Sequence, residues 1–131
     1  MKALIDTGVW FRRYFGLPMS RSLGRFLEDE VSEFHLCPLS VAEIAFKWRR
    51  GRLADVPDPR EWVDHALENY ALEIPGPAAC HKAGCWDWLH GDSVDRLLAA
   101  IAAEKEIVLV HTDTILKGFS GFPQRYFPNL R

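Results

Sequence analysis

The sequence predicts an α/β fold in which helices cover both faces of a parallel β-sheet. Short apolar runs, each long enough for one buried strand, alternate with longer segments in which apolar residues recur at helical spacing. Continuous apolar strands are typical of sheets buried on both faces, and strands that alternate with helices form parallel sheets. The chain has 131 residues, enough for a substantial core, and we expect residues 1–131 to form a single domain.

The first half of the chain contains two predicted strands. In order, the predicted elements are a strand over 3–5, a helix over 21–30, a strand over 34–37 and a helix over 40–51. Another helix starts directly after the first strand, at Asp6 and Thr7. Ser40 is a typical N-cap residue, and Gly51 is a typical residue for the end of a helix.

The second half continues the alternation of helices and strands. The predicted elements are a helix over 60–70, a strand over 72–74, helices over 77–88 and 94–105, and a strand over 107–110. Pro57 and Pro59 interrupt the chain before the first of these helices. The run Ile107-Val108-Leu109-Val110 is the clearest buried strand of the chain.

Composition and charge argue against several classes of protein. No apolar run is long enough to span a bilayer, and Asp6 interrupts the N-terminus too early for the apolar part of a signal peptide. Three cysteines, an odd number, fit reduced thiols, so we expect a cytoplasmic protein that does not contact membranes. Sixteen basic and eighteen acidic residues leave a net charge of −2, so any nucleic acid must be held by local basic patches.

Four acidic residues are expected to meet at one edge of the sheet. They are Asp6, Glu43, Asp95 and Asp113. In a parallel α/β sheet the C-terminal ends of the strands and the N-terminal ends of the following helices share one edge, where such folds place their sites. Asp6 ends the first strand, and Glu43 lies in the first turn after the second. Asp95 starts a helix of roughly 15 Å, and a strand segment of at most about 20 Å brings Asp113 back to the same level.

Each acid also has a purely structural explanation. Asp6 is placed to end a strand and begin a turn, and Asp113 is placed to cap a short helix through Leu116. Ser40-Val41-Ala42-Glu43 has the pattern of a capping box, in which the glutamate reaches back to a free backbone N–H. Asp92 is placed to cap a helix that has Asp95 in its first turn, where the helix dipole favours both charges.

Four carboxylates at one edge favour a cation among them. Like charges at short range repel and raise one another's pKa values, and Arg96 alone cannot neutralise all four. A divalent cation can. An all-oxygen ligand set suits Mg²⁺ or Mn²⁺ rather than zinc.

Four motifs follow one another along nearly the whole chain. They are Leu4-Ile5-Asp6-Thr7; Ser40-Val41-Ala42-Glu43-Ile44-Ala45 with Lys47 and Gly51-Arg52-Leu53; His90-Gly91-Asp92-Ser93-Val94-Asp95-Arg96-Leu97-Leu98-Ala99-Ala100; and Val108-Leu109-Val110-His111-Thr112-Asp113. In order and spacing the chain resembles the PIN-domain ribonucleases, and within them the VapC-type toxins of prokaryotic toxin–antitoxin pairs. The resemblance implies a PIN-like three-layer α/β/α fold with a central parallel sheet of four or five short strands.

The resemblance also implies which residues form the site. The catalytic and metal-binding acids of the family correspond to Asp6, Glu43, Asp95 and Asp113. Possible rim or phosphate contacts are Thr7, Asp92, Arg96 and Thr112. Two positions depart from the family pattern: His111 stands where Ser or Thr is usual, with Thr112 as a substitute hydroxyl, and Ser93 stands where Pro is common.

The activity that the resemblance implies is hydrolysis of RNA phosphodiester bonds by an endoribonuclease that uses Mg²⁺ or Mn²⁺ and leaves a 5′-phosphate. Asp6 and Asp95 are expected as direct ligands, with Glu43 and Asp113 completing the shell or orienting the water. The same resemblance implies a toxin of a type II, VapBC-like system, with a cognate antitoxin and a homodimer as partners.

Two other functions compete with this hypothesis. A non-catalytic PIN-like binding module would keep the fold and the partner without hydrolysis. Phosphoryl-transfer proteins also place an Asp after the first strand, but Gly8 stands where the phosphatases of that class have a second Asp. In addition, no acid ends the second predicted strand.

Three further residue groups have both functional and structural interpretations. A basic run at a helix end would hold RNA phosphates or complement the helix dipole: Lys47, Arg49, Arg50 and Arg52. An aromatic set would form a groove for a partner helix or, more simply, core: Trp10, Phe11, Tyr14, Phe15, Trp48 and Trp62. A third set lacks the usual spacing of zinc ligands: Cys80, His81, Cys85 and His90.

Overall fold

Five short strands form one parallel sheet in the computed structural model, which describes residues 1–128. The strands are β1 Lys2–Ile5, β2 Glu33–Leu36, β3 Tyr70–Leu72, β4 Val108–His111 and β5 Gln124–Tyr126. Their order across the sheet is β3-β2-β1-β4-β5, and each neighbouring pair is parallel. The chain therefore builds outward from β1 to β3, and then crosses to the other side of β1 to form β4.

Helices connect the strands. They are α1 Thr7–Phe15, α2 Arg21–Asp29, α3 Leu39–Arg49, a 3₁₀ helix Pro59–Glu61, α4 Val63–Leu67, α5 Pro77–Cys85, α6 Ser93–Lys105 and α7 Thr114–Lys117. Across residues 1–128, none of the helices has the length and apolar character needed to cross a membrane.

Two separate hydrophobic cores lie on opposite faces of the sheet. Successive residues of a strand point to opposite faces, so Ala3 and Ile5 join one core while Leu4 joins the other. The first core is completed by α1 to α4, with Trp10 as its largest fully buried side chain, and the second by α5 to α7, with Ile101 among its fully buried side chains. Helices on both faces make three layers, so the predicted α/β/α fold is confirmed.

The strand at one edge of the sheet was not predicted from the sequence. The segment Gln124-Arg125-Tyr126 forms β5 and pairs with β4. Its residues are polar or amphipathic and none is fully buried, so no apolar run marks the strand. Its position depends on the hydrogen bonds that β4 offers.

The region between β2 and α5 differs from the prediction in two ways. The helix predicted over 60–70 is divided into a 3₁₀ helix and α4, because Trp62 has an extended φ of −133° and donates its indole N–H to the Pro57 carbonyl. The strand predicted over 72–74 lies at Tyr70–Leu72 instead. The apolar side chain of Ile74 is 70% exposed.

We expect the second core to contribute most of the stability that holds α6 against the sheet. Ile101 is 1% exposed within that core. Replacing it with alanine (Ile101→Ala) should lower the free energy of unfolding by about 2–5 kcal/mol because it leaves a cavity. Ile74→Ala, at an exposed position, should change it by less than about 0.5 kcal/mol. Urea denaturation followed by circular dichroism measures both, and equal losses in the two variants would contradict this packing.

Candidate metal centre

A pocket of about 360 Å³ lies at the C-terminal edge of the sheet. It is lined by Asp6, Thr7, Gly8, Glu43, Lys47, Asp92, Asp95, Thr112 and Asp113. The four carboxylates expected to meet there line the same pocket. The reason is topological: β1 and β4 are neighbours where the chain changes sides, and the ends of such strands diverge to leave a crevice.

Asp6 is fixed at the junction between β1 and α1. Its backbone N–H donates to the carbonyl of Val110 on β4, at 3.1 Å. Its Oδ1 atom accepts a hydrogen bond of 2.8 Å from the N–H of Val9, so the side chain is the N-cap of α1. The carboxylate thus serves as a cap and, at the same time, lines the pocket.

Asp95 is presented by the first turn of α6. The residue that caps this helix is Asp92, whose Oδ1 accepts the Asp95 N–H at 3.0 Å. The cap that the sequence suggested for Asp92 is therefore present. Because Asp92 takes the capping role, the Asp95 carboxylate is available to the pocket, where its Oδ2 lies 2.8 Å from the Nε2 atom of His90.

Asp113 follows β4 and caps α7. Its Oδ1 accepts hydrogen bonds from the N–H groups of Ile115, at 2.7 Å, and Leu116, at 3.4 Å. Its own N–H donates to the Nδ1 atom of His111, at 3.1 Å. The carboxylate is held at the sheet edge from both sides of the turn.

His111, one of the two departures from the family pattern, is a structural residue. It is fully buried, and its Nε2–H donates to Oε1 of Gln124 at 2.7 Å while Nδ1 accepts from Asp113. Burial lowers the pKa of His111, which favours this neutral form. The side chain of Gln124 in turn donates to the Phe119 carbonyl. The imidazole accepts the Asp113 N–H, as a hydroxyl there could, and joins β4 to β5.

The capping box proposed for Glu43 is wrong. Helix α3 starts at Leu39 rather than after Ser40, and no side chain caps it. The hydroxyl of Ser40 is instead buried and accepts a hydrogen bond of 2.8 Å from the hydroxyl of Thr7. Glu43, one turn further along α3, lines the acidic pocket. Thr7 also lines that pocket, although its own hydroxyl is directed to Ser40.

Arg96 does not line the pocket, which corrects the expectation that it contacts phosphate at the rim. Its guanidinium donates to four backbone carbonyls, those of Ala83, Trp86, Trp88 and His90. These bonds fix the segment between α5 and α6. The role of Arg96 is therefore to hold the backbone that leads into the site.

His90 does not line the pocket, but it contacts one of the lining carboxylates, and the sequence interpretation did not assign it to the acidic site. One of its ring nitrogens and one carboxylate oxygen from each of Asp95 and Asp113 lie within 4.8 Å of one another. The zinc set considered from the sequence is dispersed: Cys80 and Cys85 are exposed, and His81 contacts Cys85 rather than His90. The signal for His90 was its place five residues before Asp95, which a loop can bring to the helix start.

The site concentrates negative charge in partly buried surroundings. Burial, reinforced by the neighbouring carboxylates, raises the pKa of Asp6 from 3.8 to about 7. Burial also raises the pKa of Asp95 to about 6, although the hydrogen bond from His90 opposes the shift. Carboxylates that resist ionisation next to one another are stabilised by a cation, and their oxygen atoms are the ligands that hard divalent ions prefer. The donor set therefore fits Mg²⁺ or Mn²⁺.

The fold is that of a parallel α/β protein. Its pocket of four carboxylates lies at the point where the strand order of the sheet reverses. The sequence matches the PIN domain family over residues 3–121. The chain belongs to this family, and the predicted family membership is confirmed. No curated protein sequence matches it significantly.

Solved structures with the same fold include two toxin–antitoxin complexes. VapBC2 from Rickettsia felis, bound to a DNA fragment from its promoter, matches with a TM-score of 0.67 and 12% identity, over 97% of this chain and 99% of that chain. A toxin–antitoxin complex from Klebsiella pneumoniae matches with a TM-score of 0.65 and 13% identity, over 91% and 93%. A domain of a functionally unknown protein from Methanocaldococcus jannaschii matches with a TM-score of 0.56 and 16% identity, over 99% of this chain and 93% of that chain.

The raised pKa of Asp6 predicts a specific pH dependence of stability. Without metal, the folded chain binds a proton at Asp6 up to pH of about 7, whereas the unfolded chain releases it near 3.8. The folded state therefore binds more protons between these values, and its stability falls as the pH rises through that window. Asp6→Asn keeps the N-cap and removes the charge, so its Tm in chelator at pH 8 should exceed that of the wild type by about 3 °C or more.

The comparison needs a low-pH arm and a neutral control. At pH 4 the wild type and Asp6→Asn should melt at similar temperatures, because Asp6 is then protonated in the fold. Asp87→Asn, at an exposed position, should match the wild type at both pH values. A Tm for Asp6→Asn below that of the wild type at pH 8 would show that the carboxylates do not repel in the folded protein.

Proposed function

We propose that this protein is a metal-dependent endoribonuclease that acts as the toxin of a type II, VapBC-like toxin–antitoxin pair. The observation that carries the proposal is the convergence of four carboxylates in one pocket at the C-terminal edge of a PIN fold. PIN domains are generally metal-dependent nucleases. When bound, Mg²⁺ or Mn²⁺ supplies Lewis-acid activation of water and of the phosphate.

The proposed roles of the four acids follow from their positions. Asp6 and Asp95, whose pKa values are the raised ones, are the proposed direct ligands. Glu43 and Asp113 complete the shell or orient the attacking water. In the reaction, water adds to phosphorus and the bond to the 3′ oxygen breaks, so the products carry a 3′-hydroxyl and a 5′-phosphate. No nucleophile of the protein is consumed.

A basic, partly apolar groove next to the acids supports a single-stranded nucleic acid as substrate. The groove measures about 370 Å³, and Glu43, Lys47 and Asp92 line both it and the acidic pocket. Phe46 is 61% exposed in the groove, and the guanidinium of Arg50 lies 5.7 Å from its ring centroid. Exposed aromatic rings stack on unpaired bases, and neighbouring cations bind phosphates.

This groove answers the objection raised by the net charge. The chain as a whole is slightly acidic, but Lys47, Arg50 and Arg52 are grouped beside the carboxylates. A local patch of this kind can hold the flanking phosphates of RNA without overall basicity. Lys47 stands at the junction of groove and pocket, where the scissile phosphate would lie.

The antitoxin partner is proposed from the structural neighbours. Two of them are toxin–antitoxin complexes, and they share the fold of this chain over nearly its whole length. An antitoxin would bind the toxin and block its acidic site. The homodimer and the cytoplasmic location remain predictions.

Two residues of the aromatic set, Trp10 and Trp62, are buried in the first core, which supports the simpler interpretation of that set as core.

Cleavage of a mixed pool of structured and unstructured RNA tests the proposed activity. The purified wild type should cut RNA in Mg²⁺ or Mn²⁺ and stop in chelator, and Asp95→Asn should reduce the rate at least about 100-fold because it removes a charged ligand. In parallel, induced expression of the wild type should arrest bacterial growth, and Asp95→Asn should not.

The controls separate the competing functions. Asp87→Asn, purified identically, should retain the activity of the wild type, since Asp87 is exposed outside the pocket. Equal cleavage by the wild type and Asp95→Asn would contradict the assignment and indicate a contaminating nuclease. A wild type that binds metal but neither cuts RNA nor arrests growth would favour the non-catalytic binding module.

A further inference from the structure

We infer that His90 is a nitrogen ligand of the metal centre and makes it prefer Mn²⁺ to Mg²⁺. The inference rests on the proposed function, because it concerns the ion that the acidic pocket would hold. It alters the donor set expected from the sequence, which consisted of oxygen atoms alone.

The ring nitrogen of His90 faces two of the carboxylates. Its Nε2 atom is 2.8 Å from Oδ2 of Asp95. One ring nitrogen of His90 and one carboxylate oxygen from each of Asp95 and Asp113 lie within 4.8 Å of one another. Ligands on opposite sides of one ion, each at about 2.1 Å, are about 4.2 Å apart, so small side-chain adjustments suffice for a shared ion. The lone pair of Nε2 would bind the ion in place of the hydrogen bond to Asp95, with the proton of the neutral imidazole on Nδ1. The His90 side chain is only 10% exposed.

The position of His90 is fixed by its surroundings. Arg96 donates to the His90 carbonyl, at 3.1 Å, and to the carbonyls of Trp86 and Trp88. The His90 ring packs against Trp88 with ring centroids 5.1 Å apart, and Trp88 is stacked on Phe119 at 4.4 Å. The loop therefore presents the imidazole in one orientation. A rigid donor loses little conformational entropy when it binds an ion.

The other histidine near the site is already engaged. Both ring nitrogens of His111 make hydrogen bonds, one with Gln124 and one with the Asp113 N–H. It is therefore a support for the carboxylate, and His90 is the imidazole with a nitrogen directed at the acids. The two histidines next to the centre thus have different roles.

A nitrogen donor changes which ion is favoured. Mg²⁺ binds oxygen ligands in a strict octahedron and keeps several waters, whereas first-row transition metals gain affinity from imidazole. Neutral imidazole also adds a ligand without adding to the charge of the four carboxylates. If His90 acted only by orienting Asp95 through a hydrogen bond, its loss would lower the affinity for both ions to a similar extent. Ion selectivity therefore distinguishes a ligand from a positioning residue.

Pulsed electron paramagnetic resonance of the wild type with substoichiometric Mn²⁺ tests the inference without any substrate. A directly bound imidazole should give a ¹⁴N coupling that disappears in His90→Gln and persists in His81→Gln, a matched change at an exposed histidine of α5. Calorimetry should show that His90→Gln lowers the affinity for Mn²⁺ at least about tenfold and the affinity for Mg²⁺ less than about threefold.

The outcomes separate this inference from the proposed function. Mn²⁺ that binds the wild type, is lost in Asp95→Asn and shows no ¹⁴N coupling would overturn the role of His90 while the metal centre stands. An equal loss of affinity for both ions in His90→Gln would also overturn the role of His90 as a ligand and make it a positioning residue. If the wild type binds neither ion, the metal centre itself is wrong. The ¹⁴N signal of the wild type decides the case even if His90→Gln does not fold.

Discussion

The pairing of β1 with β4 is the constraint on which the site depends. The two strands are adjacent in the sheet although about a hundred residues separate them in sequence, and their register places Ile5 beside Val110. The Asp6 N–H extends this pairing by one more hydrogen bond, to the Val110 carbonyl. Because the following chain segments leave on different sides, a crevice opens at this edge. The acids that follow the two strands meet in it, and α3 and α6 bring the other two.

Structural and functional explanations of the acids turn out to be compatible. Asp6 and Asp113 each cap a helix with one oxygen while their carboxylates line the pocket. Asp92 takes over the cap of α6 and so leaves Asp95 for the site. A helix N-terminus stabilises negative charge, which offsets part of the repulsion among the carboxylates. The same bonds orient the side chains, so the site is largely organised by the caps.

The sequence was sufficient to predict the layers and the convergence of the four acids in one pocket, because both follow from strand and helix order. Parallel topology determines which ends of the elements share an edge, and apolar runs identify most of those elements. The strand β5 could not be found in this way, since Gln124 and Arg125 carry no apolar signal. The role of Arg96 could not be predicted from the sequence either, because its hydrogen bonds depend on how the loop before α6 folds back. His90 was missed for the same reason, as its contact with Asp95 is created by that loop.

The central claim is that the carboxylates at the β1–β4 edge form one divalent-cation site. The most direct measurement is anomalous scattering from crystals of the wild type grown with Mn²⁺. We predict an anomalous peak within bonding distance of Asp6, Asp95 and Asp113, and no such peak in Asp6→Asn crystals grown in the same way. A wild-type pocket without a peak, at Mn²⁺ concentrations that support RNA cleavage, would show that these carboxylates do not form a cation site.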